Sequence, residues 1–452
     1  MADPAFLSSR EAARRVAELG EEFALLRNPS YVHPDYEVVP LAPKITGPVS
    51  GLTAAVMDMD GTTTTTEPLC LHSLETMVRR VMSPRAERQW EGLDPVRDYP
   101  NVIGNSTTRH VEYLIETYGE RIEREEFARA YLQAALWTLV EGPDPRRREE
   151  VRTNLRALGW AALLEEKPVE NILAGEGFSA NRHRDCIADL LDRYAARLRM
   201  DDFSLRVRAA VDIYYHRYHE ILSRIAAGET DLPDVDLPAG QRLIEPMPGV
   251  ATFLCLIKGW LGEEAGDLEP LLREEMPPES RDDLPSPGVA RKKLARLGRR
   301  FRDNPLGVGL VTSSIRYEAE VVLGEVFSVL QEQIRDWPVR SDLGDRFDDL
   351  ANVYDAVVTA GDTSEIRLKP HRDLYSIALH ALGVDRAEFD TVIGFEDSES
   401  GTIAIRAAGI GLCVALPFTD TAGHHFGAAG REVAAGLPEV LLRHGMFLDL
   451  SQ

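Results

Sequence analysis

The run LTAAVMDMDG (52–61) constrains this chain most, because a short apolar stretch stops in two carboxylates and a glycine. A buried parallel strand reads this way when it ends at a functional edge. The same sign returns in alternation after residue 246. VATFLCLIKGWL predicts a helix, LGVGLVTSS a strand, IRYEAEVVLGEVFSVLQEQI a helix and YDAVVTAGD a strand. HRDLYSIALHALG then predicts a helix, FDTVIGFED a strand, SGTIAIRAAG a helix and IGLCVALP a last strand. Such alternation predicts an α/β fold with a Rossmann-like, doubly wound parallel sheet.

The first strand is separated from the others by a long helical text. From Leu69 to about Gly228 the apolar residues recur at three- and four-residue spacing, as in FARAYLQAALWTLVE and LRVRAAVDIYYHRYHEILSRIAAG. The proline-rich stretch DLPDVDLPAGQRLIEPMPG (231–249) closes the block. The expected organisation is an N-terminal arm (1–50), a core (51–64 and 246–452) and an all-helical domain (65–245) inserted after the first core strand. The arm reads as a helix followed by an extended stretch spaced by prolines. A second insertion, about 262–304, is rich in Glu and Pro and ends in the basic run ARKKLARLGRRFRDN. A length of 452 residues agrees with two or three domains.

Charge and cysteine usage exclude several function classes. With 51 Lys+Arg against 74 Asp+Glu, the formal net charge is −23. This argues against nucleic-acid or membrane partners. A small phosphorylated metabolite stays compatible, because local cations or one metal ion overcome a global field. Four cysteines without a CxxC make neither a disulfide framework nor a zinc knuckle. The opening MADPAFLSSREAARR has no apolar signal core, and no run of 18 apolar residues occurs, so a soluble cytoplasmic protein is expected.

In open α/β sheets the reactive edge lies at the carboxyl ends of the strands. Those ends carry Asp58 and Asp60, then Thr312, Ser313 and Ser314, then a loop with Lys369, then Glu396 and Asp397. Several carboxylates cannot stay ionised together without a compensating cation. Hard oxygen ligands suit Mg²⁺. One acid would remain as a nucleophile toward phosphorus, and a second, two residues on, would move protons at the leaving oxygen and water. The lysine and hydroxyls would hold the charge of the transferring group.

DMDGT (58–62), Thr312, Lys369-Pro370 and GFEDSESG (394–401) together resemble the four motifs of the haloacid dehalogenase superfamily. The segment Glu396-Asp397-Ser398 with Gly401 is most similar to its β-phosphoglucomutase-like phosphatase branch. The resemblance implies Asp58 as the phosphorylated nucleophile and a metal ligand, and Asp60 as general acid/base, with its backbone carbonyl on the metal. It implies Thr312 and the Ser313 N–H as phosphate binders, Lys369 as a bridging cation, and Glu396 and Asp397 as metal carboxylates. Asp60 disfavours halide displacement, since dehalogenases of the family lack an acid there. The helical insertion resembles the family's cap, although it is larger than usual. Asn105, Thr107, Arg109 and His110 are its candidate substrate contacts.

The expected activity is Mg²⁺-dependent hydrolysis of a small phosphomonoester, such as a sugar phosphate, through an aspartyl-phosphate. A sugar phosphomutase and a non-catalytic scaffold are the alternatives. Ser398 reads as a helix N-cap and Gly401 as helix–sheet packing. His216 and His219 read as a packed aromatic face rather than a metal pair. The RRREE run (146–150) reads as a solvated helix end, and ARKKLARLGRRFRDN as an amphipathic surface helix.

Overall fold

The computed structural model of the chain describes residues 7–28, 33–103, 107–175, 177–229, 232, 234–235, 237, 241–362, 367–418, 421 and 423–443. The chain divides into two compact units, residues 1–65 with 245–452 and residues 66–244.

The first unit opens with the helix Ser9–Leu19, whose start is fixed by a capping box between Ser8 and Glu11. The extended stretch that follows is in part a hairpin of β1 (Phe23–Arg27) and β2 (Tyr36–Pro40), with Leu25 opposite Val38. Next come β3 (Ala54–Asp58) and a short antiparallel pair, β4 (Thr64–Thr65) with β5 (Glu245–Pro246). That pair clamps the points where the chain leaves the unit and returns. Strands β6 (Gly307–Val311), β7 (Ala356–Val358), β8 (Val392–Glu396), β9 (Leu412–Ala415) and β10 (Arg431–Glu432) follow.

Six of these strands form one parallel sheet in the order β10-β9-β8-β3-β6-β7. Every residue of β3, β8 and β9 is buried, which is why these strands lack an apolar–polar alternation. One face packs Val56 with Leu374, Tyr375, Leu379 and Ile405, from the helices Asp373–Ala381 and Glu399–Ala407. Elsewhere Phe395 meets Phe253 of the helix Val250–Ile257 edge-on, ring centroids 5.1 Å apart. Strand β10 was not expected: two exposed, charged residues give no apolar signal.

The 262–304 segment is helical. Pro287–Asp303 is its longest piece, and it buries Leu294, Leu297 and Phe301 while most of its basic residues stay outward, Lys293 being half-buried. This is the amphipathic helix that the spacing predicts.

The unit of residues 66–244 contains helices and no named strand among the described residues. Arg124–Glu141 is buried nearly all round, and it packs with Glu67–Val81 and Phe203–Ala226. The expectation of a solvated helix end at RRREE needs correction at Arg147. Its Nη2 donates to the buried Asp212 carboxylate at 2.5 Å, and Asn154 donates to the other oxygen at 3.0 Å. A long guanidinium stem reaches inward from an otherwise polar turn. His216 packs against Trp137 with centroids 5.1 Å apart, and its Nδ1 lies 3.1 Å from Arg80 Nη1. A metal ion would not share that position with a guanidinium.

Candidate active site

Parallel pairing puts the ends of β3, β6 and β8 at one edge of the sheet, since Asp58 is level with Val311 and Met57 with Phe395. The turn after β3 is tight. Gly61 has φ +84, donates its N–H to Thr64 O at 2.7 Å, and a Cβ there would run into the Asp397 carboxylate. Thr63 Oγ1 donates to the Asp58 carbonyl at 2.7 Å, and the Thr63 and Thr64 N–H groups both reach Met59 O. The sequence DGTTT thus closes on itself and holds Asp58 and Asp60 at the edge.

Three buried acids, Asp58, Glu396 and Asp397, each place a carboxylate oxygen within 4.8 Å of the others. Lys369 Nζ donates to Asp58 Oδ1 and, at 2.6 Å, to Glu396 Oε1. Glu396 is otherwise saturated. Tyr375 Oη donates to Oε1 at 3.3 Å, while the Ser398 N–H and hydroxyl donate to Oε2 at 2.8 and 2.7 Å. Four donors fill the lone-pair positions of one carboxylate. On the opposite side, Thr312 Oγ1 and Ser314 Oγ lie 3.3 and 3.4 Å from Asp60 Oδ2.

The electrostatics follow from this crowding. Burial pushes the Asp58 carboxyl well above the usual carboxylate range, Lys369 pulls it back, and Glu396 and Asp60 raise it again. Glu396 is held below its ordinary value, because Lys369 and Ser398 outweigh burial. Lys369 is raised despite burial, by Asp58 and Glu396. Two like charges at about 5 Å repel by about 3–4 kcal/mol at an effective dielectric of 20. One lysine cannot neutralise three or four acids; a divalent cation beside it brings the positive charge to three. The oxygen-only donor set fits Mg²⁺.

The edge therefore brings together Asp58, Asp60, Thr312, Lys369, Glu396 and Asp397. Ser313 is exposed beside it. The expected helical candidates belong to the other unit. Thr107, Arg109 and His110 lie on the helix Thr107–Thr117, with Arg109 exposed, His110 buried and Thr107 Oγ1 3.4 Å from the Tyr215 hydroxyl. Asn105 lies outside the described residues. Sequence reasoning placed Ser314 at this edge without a role of its own, and it passed over Tyr375 and the second task of Ser398. Ser398 caps its helix by accepting from the Gly401 N–H at 3.1 Å, and it also grips Glu396. The hydroxyl cluster after β6 was the available signal for Ser314; Tyr375 has none, being one apolar-looking position in a helical pattern.

Motif order and strand placement resemble the haloacid dehalogenase superfamily. No protein-family model matches the chain, and no curated protein does. Among solved structures it is similar to CbbY from Rhodobacter sphaeroides in complex with phosphate, at 14% identity and TM-score 0.37, covering 85% of this chain and 94% of that one. It is also similar to a β-phosphoglucomutase from Clostridium difficile, at 12% identity and TM-score 0.33, covering 85% and 91%. A hydrolase from Pseudomonas syringae is similar at 13% identity and TM-score 0.31, covering 86% and 96%. These overlaps are loose.

Proposed function

We propose that this edge hydrolyses a small phosphomonoester through a phosphorylated Asp58. One observation carries the reading: a buried carboxylate is held by a lysine at the end of the central strand, with a second acid two residues on beside two hydroxyls. An Asp58 oxygen attacks phosphorus, and the bond from phosphorus to the leaving oxygen breaks. Asp60 gives that oxygen its proton. Water then attacks the acyl-phosphate, Asp60 takes a proton from it, and Asp58 is released as carboxylate. Lys369 and the Thr312 hydroxyl hydrogen-bond the transferring group, and Glu396 orients Lys369.

Asp58, Asp397 and the Asp60 backbone carbonyl would hold Mg²⁺, which supplies charge compensation for the acids and the phosphoryl oxygens. Glu396, expected as a direct ligand, would have to give up a protein donor to join them. The same acids serve a phosphomutase, in which a second hydroxyl replaces water.

The test is Asp58→Asn. Release of phosphate from 4-nitrophenyl phosphate with Mg²⁺ should fall at least about a thousandfold, and the phosphorylated peptide spanning Asp58, seen in the acid-quenched wild type, should vanish. A variant that keeps its rate would overturn covalent catalysis through Asp58.

A further inference from the structure

A cavity of about 370 Å³ lies within the unit of residues 66–244, between the end of the helix Glu67–Val81 and the helix Arg124–Glu141. Met82, Pro84 and Ala130 give it an apolar wall, and Arg79, Arg80 and Arg129 line it with three guanidiniums. On a chain of net charge −23, three cations at one cavity reverse the field locally.

Each guanidinium carries five N–H donors and spends one on an acceptor among the described residues. Arg79 Nη1 reaches Trp90 O at 3.5 Å, with its guanidinium stacked 4.8 Å from the Trp90 ring. Arg80 Nη1 donates to His216 Nδ1 at 3.1 Å, and Arg129 Nε to Glu126 Oε2 at 3.3 Å. The groups stay accessible, since 30% of the Arg80 side chain and 40% of the Arg129 side chain are exposed. Their charges are not all answered. Glu126 answers Arg129, whereas Arg79 forms no ion pair among the described residues. Arg80 lies 3.9 Å from Glu220 Oε2, but Arg217 holds that same oxygen at 3.1 Å. Glu87, the other acid of the lining, stands exposed. Burial lowers the Arg80 pKa, Glu220 pulls it back, and Arg217 lowers it again. Arginine keeps its charge in such a place, so the missing countercharge has to come from outside the chain.

We propose that this cavity is a second anion site, in which Arg79, Arg80 and Arg129 bind a phosphoryl dianion. Two unanswered guanidiniums match the charge of about −1.5 to −2 that a phosphate monoester carries at pH 7. Their forked N–H groups match its oxygens bidentately. The volume falls within the roughly 300–1,000 Å³ of small-molecule sites, which leaves room for a carbon body against Met82, Pro84 and Ala130. The phosphoryl group is either free phosphate or the head of a small ester. The site needs no chemistry at Asp58, so it stands or falls apart from the phosphoryl-transfer reading.

The experiment uses ¹⁹F NMR on the full chain labelled with 5-fluorotryptophan, at pH 8 in chelator. Trp90 carries the signal, because Arg79 stacks on its ring, and Trp90→Phe identifies its resonance among the five tryptophans. Inorganic phosphate should move that resonance saturably, and acetate at matched ionic strength should not. Arg79→Gln and Arg80→Gln should each raise the half-saturating concentration about tenfold or more. Arg80→Lys, which keeps the charge but loses the fork, should raise it severalfold. Arg79 holds no ion pair, so Arg79→Gln still reads the site if Arg80→Gln does not fold. Propylphosphonate, an ester analogue with an uncleavable carbon–phosphorus bond, separates the sources. Tighter binding than phosphate assigns the site to esters, and weaker binding assigns it to free phosphate. A Trp90 resonance that phosphate leaves in place, an equal response to acetate, or a half-saturation unchanged in Arg79→Gln would overturn the site.

Discussion

Gly401 lies so close to Glu396 that a side chain at 401 would occupy the Glu396 carboxylate. The first turn of the helix Glu399–Ala407 therefore rides directly on a buried acid, and that acid holds Lys369. Helix packing and lysine placement are one contact.

Gly401→Ala tests this coupling. Alanine adds helix propensity, so an exposed helical site would gain stability. Here the displaced carboxylate should instead cost about 1–3 kcal/mol, as overpacking does. With Lys369 released, kcat should fall about a hundredfold. Thermal melts and steady-state rates on the same sample check both; a more stable, fully active variant would break the link.

The two acids at the end of β3 should separate with leaving-group quality. Asp60→Asn should nearly abolish hydrolysis of alkyl phosphates, whose oxygen needs a proton to depart. An aryl phosphate should still phosphorylate Asp58 and then stall, giving a burst of aryl alcohol near one per site. Equal losses without a burst would remove the acid/base role.

Metal removal should silence the edge. Chelator should stop phosphate release, Mg²⁺ should restore it, and Ca²⁺ should inhibit through its looser geometry. Asp397→Asn should raise the Mg²⁺ concentration for half-maximal rate by tenfold or more. Titration calorimetry of Mg²⁺ into both proteins provides a measure independent of turnover.

His72 gives the helical unit a pH-dependent stability. Its Nε2 accepts from Arg217 Nε and Nη2 at 3.2 and 3.0 Å, so the neutral ring is the one that fits. Burial first, then Arg217 and Arg80, lower its pKa from 6.5 to about 4, against the pull of Asp234. The unfolded chain binds a proton below 6.5 and the folded chain only below about 4. Stability is thus full above 6.5, declines as pH falls through that window, and levels off below it. The shift is about 3 kcal/mol at most, and about 1–2 once partial exposure is discounted. The fall in melting temperature from pH 7 to pH 5 should shrink in His72→Gln.

The alternation of apolar runs and helices makes the parallel sheet legible, and the acids that end those runs make the edge legible. The β1–β2 hairpin is less so: burial alternates along β1, but the exposed positions include apolar Leu25 and Val38, so residue type does not follow it. Arg147 and Tyr375 were invisible for another reason. Each owes its position to a partner far along the chain, Asp212 and Glu396, and a local pattern carries no record of such pairings. Gly401 could be read as a place needing no side chain, but only the fold tells that a carboxylate takes the room.

Strand order has a consequence for how the chain is made. Strand β3 pairs with β6 and β8, whose residues begin at 307 and 392, although β3 itself ends at Asp58. At about 5–20 residues per second, a ribosome needs on the order of 10–50 s to reach the first of those partners. The segment that is completed in the interval is 66–244, a compact helical unit. Until then the apolar strand AAVMD has neither of its sheet neighbours. Asp58, the proposed nucleophile, is thus synthesised well before the strands that flank it.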